Sequence, residues 1–256
     1  MESDDALVLH RIAFSETSLV LTVLTRKFGK IQALAKGGRR LKGPFESALD
    51  TLAQICVSFL QKRDDSLDLL TESKLIRRFT VSEQNLPGLF GAFYIVELID
   101  LMTTENDPCP RIFDLAVAVL AQLATGMFVS RSLIRFEQRL LREVGQQPSL
   151  DHCVECGHLI DGELKRIPFG PLDGGVLCPR CRVGHQKTTL ISREAVRAMK
   201  ILNGKDWMRF PLEKNVQNEI RGLLNNYLSH LVGWRPKLFD WFGFIGKYDR
   251  EVVRDS

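Results

Sequence analysis

Cys153-Val-Glu-Cys156 and Cys178-Pro-Arg-Cys181 are two Cys-x-x-Cys knuckles separated by 21 residues, which is the spacing of a four-thiolate zinc site. Each tight knuckle aims two sulfurs at one point. A loop of about 20 residues can fold back to complete a tetrahedron around Zn²⁺. Gly157 after the first knuckle and Pro179 inside the second suit the sharp turns this requires. Four thiolates leave no open coordination position, so the expected ion is a single structural zinc. Two disulfides, or four unrelated core cysteines, are the alternatives the spacing leaves open. His152, His158 and His185 lie near enough in sequence to substitute as ligands, although each reads more simply as a surface or supporting histidine. A zinc deaminase also uses Pro-Cys-x-x-Cys but requires an upstream His-x-Glu. The nearest run here, His152-Cys-Val-Glu155, is one residue too long.

Outward from that stretch, the 256-residue chain has room for one large domain or a few small ones. Its 45% hydrophobic and 26% charged content allow an ordinary globular core, and its net charge of +4 matters only if it is clustered. Four of the six cysteines belong to the knuckles; Cys56 and Cys109 stand alone, and free thiols beside a thiolate metal site imply a reducing compartment. Met1-Glu-Ser-Asp-Asp5 lacks the basic and apolar regions of a signal peptide, and no apolar run reaches membrane-spanning length. The expectation is a cytoplasmic protein with no membrane partner.

Residues 6–80 read as β structure. Leu7–Leu9, Leu19–Leu24, Ile31–Leu34, Leu52–Leu60 and Leu67–Leu70 are short runs of Val, Ile, Leu and Thr between Gly, Pro, Asp and Ser. Lys27-Phe-Gly-Lys30 reads as a hairpin turn in which Gly29 supplies a positive φ. About five short strands imply a small closed barrel, of the OB or the SH3-like kind. Within this region Arg26, Lys27, Lys30, Lys36, Arg39, Arg40 and Lys42 occur with no acidic residue among them. Lys36-Gly-Gly-Arg-Arg40 places two small residues beside three cations, so backbone and charge can both approach a phosphate chain. Phe14, Phe28 and Phe45 are candidate stacking faces for bases, with a core role as the plainer reading of each.

From Ser82 the period turns helical. One long helix runs to Met102 and is broken by Pro108 and Pro110. A second covers Ile112–Leu123 with Gly126 as its stop, and a third, with Ser130 as its expected cap, runs to Val144. On that third helix Arg131, Arg135, Arg139 and Arg142 share one face, either as a solvated stripe or as a grip for carboxylates or phosphates. A short helix opens at Ser192 and stops at Asn203-Gly204, and a last one covers roughly Val216–Val232. The expected plan is α+β: an N-terminal OB-fold barrel at 1–80, a helical domain at 81–149 and 191–247 with the zinc module at 150–190 inserted, and a frayed tail at 248–256. No phosphate-cradling Gly-x-x-x-x-Gly-Lys loop, Gly-x-Ser-x-Gly elbow or His-Glu-x-x-His pair is present, so neither an enzyme nor a small-molecule substrate is expected.

Three groups of residues resemble the bacterial RecO family. They are Ala6–His10 with Ser15–Thr25, Gly29-Lys30 and Ala35–Arg40; Phe169–Cys181 with its Gly174-Gly175 pair; and Leu223–His230. The likeness covers nearly the whole chain in order; Ser18 stands where the family more often has an acidic residue. The resemblance implies a recombination mediator that binds single- and double-stranded DNA and anneals complementary strands. With RecR it would help load RecA onto DNA coated by single-strand-binding protein (SSB). It also implies that the acidic SSB tail binds the helical domain, and helix geometry adds the Arg131–Arg142 stripe as its receiver. The rival expectation is a zinc-ribbon adaptor that binds protein partners without a direct DNA function.

Overall fold

Residues 1–40, 44–45, 48–62, 66–160, 164–185 and 187–236 are described by a computed structural model of the protein. Five strands, β1 (Glu2–Ala13), β2 (Leu19–Thr25), β3 (Gly29–Ala35), β4 (Gln54–Leu60) and β5 (Asp68–Arg77), close a barrel in the order β1-β2-β3-β5-β4. All ladders are antiparallel except β3 with β5, where Ala33–Ala35 run parallel to Asp68–Leu70. That parallel closure is the partly open Greek-key pattern of an OB-fold. The apolar alternation of the strands decides which side faces in. Leu19, Leu21 and Val23 of β2, Ile31, Ala33 and Ala35 of β3, and Ile55, Val57 and Phe59 of β4 all point into one buried core. Gly29 ends the β2–β3 turn at φ 73°. A Cβ there would lie 2.0 Å from the Asp107 carbonyl oxygen, so both the conformation and the space require glycine.

The chain falls into two compact units, Met1–Met127 and the residues from Phe128 onward. In the first, α1 (Leu86–Met102) and α2 (Pro110–Ala124) pack on each other and on the barrel strands. Asn85 joins their ends: its side-chain oxygen accepts from the Gly88 N–H, and its amide donates to the carbonyls of Leu123 and Ala124. Gly126, at φ 75°, follows α2 as a left-handed stop.

In the second unit, α3 (Val129–Glu143), α4 (Arg193–Asn203) and α5 (Lys214–Val232) pack together beside a three-stranded sheet ordered β7 (Gly175–Val176), β6 (Arg166–Gly170), β8 (Thr189–Ser192). Ser192 caps α4 by accepting from the Ala195 N–H. The expected Ser130 cap is corrected: α3 starts two residues earlier from Phe128, whose φ of 54° sets the entry without a side-chain cap. Ser130 is buried inside the first turn, and its hydroxyl accepts from Gln217 Nε2 on α5 at 2.9 Å. A tertiary hydrogen bond has claimed the side chain that local pattern assigned to capping.

Candidate metal centre and nucleic-acid interface

The four cysteines converge. Their Sγ atoms all lie within 4.8 Å of one another, and Cys156 Sγ is 3.9 Å from Cys178 Sγ. A tetrahedral Zn²⁺ with bonds of about 2.3 Å would set its sulfurs about 3.8 Å apart, so the donor set fits the ion in size and number. Local hydrogen bonds build the knuckles. Cys153 N–H donates to the His158 carbonyl, Gly157 N–H returns to the Cys153 carbonyl, and Val154 N–H donates to Val176 at the end of β7. The Cys181 N–H points at Cys178 Sγ, 3.4 Å away.

The thiol chemistry agrees with the geometry. Burial opposes ionisation of Cys153, but backbone N–H groups of Cys156, Cys178 and Glu155 outweigh it and bring its pKa down to about 6. Cys178 is lowered by the Cys181 backbone N–H. Cys181 is pushed up to about 12, chiefly through its hydrogen bonds with the sulfurs of Cys178 and Cys156. A cluster that ionises some sulfurs readily and resists ionising the last is one that a dication completes. Among the described residues the cluster holds no histidine. His185 instead pairs its Nδ1 with Asp173 at 2.9 Å and lies 3.8 Å from Glu155.

The basic residues of the barrel separate in space. The β2–β3 hairpin pairs Thr25 with Gly29 at one end and Leu19 with Ala35 at the other, roughly 20 Å along the strands. Arg26, Lys27 and Lys30 sit at the first end; Lys36, Arg39 and Arg40 sit at the second. At the first end two of the cations are engaged internally. Arg26 makes a two-pronged pair with Asp114 of α2, at 2.9 and 3.0 Å, which holds the Asp114 carboxyl below its ordinary range. Lys30 is buried and donates from Nζ to the carbonyl of Asp100 on α1 at 2.6 Å and to its carboxylate at 3.1 Å. Lys27 has an exposed side chain.

At the second end Lys36, Arg39 and Arg40 are exposed around Gly37, which has φ 78°. Arg39 braces this turn, donating from its backbone to the Thr17 carbonyl and from its guanidinium to the Ser15 carbonyl. Phe14, in the neighbouring β1–β2 loop, is 65% exposed, and Ile12 beside it is 66% exposed. Phe45 is core, and Phe28 stacks edge-on against Phe59 at 5.4 Å. Lys42 lies outside the described residues. Two cations that sequence reading did not single out, Arg11 and Arg78, belong to this end through Asp50: Arg11 lies 2.6 Å from one carboxylate oxygen and Arg78 3.7 Å from the other. Their separation along the chain hides the grouping, and only the closed barrel reveals it.

On α3 the four arginines occupy different environments. Arg131 donates to the carbonyls of Phe210 and Met208 and lies over the Phe128 ring. Arg135 donates to the carbonyls of Leu202 and Gly204 and packs over Trp207, 5.2 Å from the ring centre. Burial, then the charges of Arg139 and Arg142, bring the Arg135 pKa down to about 10. Arg139 is lowered for the same leading reason, and Arg142 is exposed. Arg131 and Arg135 thus tie the segment after α4 to α3.

A closed OB-type barrel, helices in both units and a cluster of four cysteines compatible with a metal site together define a modular, barrel-containing protein. The chain belongs to the recombination protein O family: residues 1–79 match "Recombination protein O N terminal" and residues 83–238 match "Recombination protein O C terminal". It is 34% identical to the DNA repair protein RecO of Rhodopirellula baltica, across 91% of this chain and 96% of that one. It is 30% identical to the DNA repair protein RecO of Myxococcus xanthus, across 95% and 97%, and 27% identical to that of Bacillus pumilus, across 90% and 88%. The family places the chain in DNA repair and recombination. No helix among the described residues is long and apolar enough to cross a membrane.

Proposed function

We propose that the protein is a non-catalytic recombination mediator that binds DNA through the second end of its barrel. It would anneal complementary single strands and, with RecR, help load RecA onto single-stranded DNA coated by SSB. The observation that carries the reading is the pairing of Lys36, Arg39 and Arg40 with the exposed ring of Phe14 at one end of an OB-type barrel. Cations neutralise phosphates whatever the sequence, and an exposed ring takes an unpaired base by stacking. That combination suits a protein that must handle both duplex and single strands. The first-end cations Arg26 and Lys30 belong to the reading through Lys27 and the surface around it, since their own charges hold α1 and α2 to the barrel. Zinc bound by Cys153, Cys156, Cys178 and Cys181 would hold the ribbon together and take no part in chemistry.

The same reading gives the SSB tail to the α3 stripe. There Arg139 and Arg142 offer the guanidinium groups to acidic side chains, while Arg131 and Arg135 shape the surface from below. Reversing Arg139 and Arg142 to Glu should abolish binding of an SSB tail peptide; unchanged affinity would remove this site from the proposal.

The decisive test is ATP-free annealing of complementary oligonucleotides precoated with cognate SSB. Fast annealing by the native chain, lost when Lys36, Arg39 and Arg40 are reversed to Glu, is the expected result. Annealing by both proteins would move the DNA site elsewhere. Annealing by neither, with zinc bound and the protein folded, would favour the protein-binding adaptor.

A further inference from the structure

A cavity of about 470 Å³ opens beside the second end of the barrel. Among the described residues its walls are Arg11 and Ala13 of β1, Leu19 of β2, the Gly38-Arg39-Arg40 turn, and Leu49 and Asp50. Its chemistry is that of an anion seat: three arginines line a space with a small glycine in the wall. One feature is out of place for such a seat. Asp50 stands among the cations, its two carboxylate oxygens divided between Arg11 and Arg78. A carboxylate is planar, singly charged and accepts from guanidinium forks as a phosphodiester does. Both side chains of the Arg11–Asp50 pair are between two-fifths and one-half exposed, so water screens the pair and it can exchange.

We propose that this cavity seats one backbone phosphate of single-stranded DNA, and that Asp50 holds the seat as a tethered substitute until the phosphate displaces it. The proposal rests on the DNA-binding reading above and adds Arg11 and Asp50 to it. In the free protein Asp50 keeps Arg11 turned toward the cavity at the cost of a competing negative charge, while Arg78, which is not one of the cavity walls, steadies the other Asp50 oxygen. On binding, a phosphate takes the Arg11 fork that Asp50 gives up, and the strand is then placed to lay a base on the exposed Phe14 ring. Asp50 thereby lowers affinity while preserving geometry. That balance suits a protein that must release its strand after annealing.

The experiment is fluorescence anisotropy of a labelled oligothymidylate with the full zinc-loaded chain, at two salt concentrations, for the native protein, Asp50→Asn, Arg11→Gln and the double variant. Thermal melting of each confirms folding. Asp50→Asn should tighten binding about two- to five-fold, the scale set by releasing one exposed ion pair. Arg11→Gln should weaken it, and Asp50→Asn should give a much smaller gain in the Arg11→Gln background, because the two residues act through one contact. Arg11→Lys provides a milder form of the same comparison should Arg11→Gln fail to fold, and Asp114→Asn controls for removing a carboxylate elsewhere. An equal gain from Asp50→Asn with and without Arg11 would mean that Asp50 acts only through the general field, and the seat would be overturned. No gain at all would overturn it too. Absence of salt-sensitive binding by the native chain would instead overturn the DNA-binding reading on which the seat depends.

Discussion

The barrel and the cysteine module are both small β structures, yet they are held together by different means. The barrel closes on itself, and its core of Ala6, Val8, Leu21, Val23, Ile31, Ile55, Val57 and Phe59 is almost wholly removed from water. In the module, Cys153, Leu177 and Cys178 form the buried cluster, with Ile160 and Cys181 packed against it. Three of those five side chains are the expected metal ligands. An apolar core needs enough chain to surround it, whereas four converging cysteines can be completed by a metal ion where the chain is too short. In the barrel, exposed charges such as Lys36 and Arg40 can change without touching the apolar core that holds the strands together.

Changing Cys178 to Ser should break this comparison most visibly. Structural zinc contributes on the order of 10 kcal/mol to folding small four-ligand sites, comparable to the entire stability of a domain. The expected outcome is a protein with less than one zinc per chain and rapid proteolysis between residues 153 and 181, while the barrel fragment stays resistant. A zinc-free variant with native proteolytic resistance would show that the module is held by packing, as the barrel is. Second in size is Phe59→Ala. Phe59 is fully buried and stacks with Phe28, so truncation should cost about 3–5 kcal/mol in urea melts. Zinc content should stay unchanged, which separates the two regions from the opposite side.

Gly29→Ala probes the barrel's joint with the segment around Asp107. A Cβ at that site meets the Asp107 backbone, and a positive φ already disfavours any side chain, so a loss of about 1–3 kcal/mol is expected by thermal or urea melting. A neutral result would mean that this turn relaxes freely and that the helices do not depend on it.

Sequence pattern made much of this legible. The β-branched and leucine runs located the five strands, Lys27-Phe-Gly marked a true hairpin turn, and the knuckle spacing located four sulfurs that do converge. Each of those signals is local, carried by residues a few positions apart or by one pair of motifs. What escaped was what long-range packing decides. Among the described basic residues of this region, β3 sets Arg26, Lys27 and Lys30 at one end and Lys36, Arg39 and Arg40 at the other, and burial turns Lys30 inward onto Asp100. Arg11, Asp50 and Arg78 are far apart in the chain and meet only because β1, the loop before β4 and the end of β5 converge. Ser130 and Arg135 show the same limit on α3, where a capping residue and an exposed stripe were drawn into contacts with α5 and with the segment after α4.

The smallest expected effect concerns Asp100, whose carboxylate both Lys30 and His10 reach, at 3.1 and 3.3 Å. Its pKa lies below the usual carboxylate value, chiefly because of the hydrogen bond with His10; burial opposes this, and Lys30 adds to the lowering. A carboxyl whose folded pKa is depressed binds its proton less tightly in the folded than in the unfolded state. Its contribution is therefore complete above the unfolded value, near 3.8, and is lost as pH falls through the folded one. Because Asp100 is partly exposed, screening limits the effect to about 0.5–1 kcal/mol. Asp100→Asn should lose that amount in urea melts at pH 7, and the gap to the native protein should close as both are measured from pH 5 down to pH 3. Lys30 keeps its bond to the residue-100 carbonyl in either case, so the variant isolates charge from packing. A gap that persists unchanged at pH 3 would mean the carboxylate matters for its shape, and the barrel would then owe its hold on α1 to packing alone.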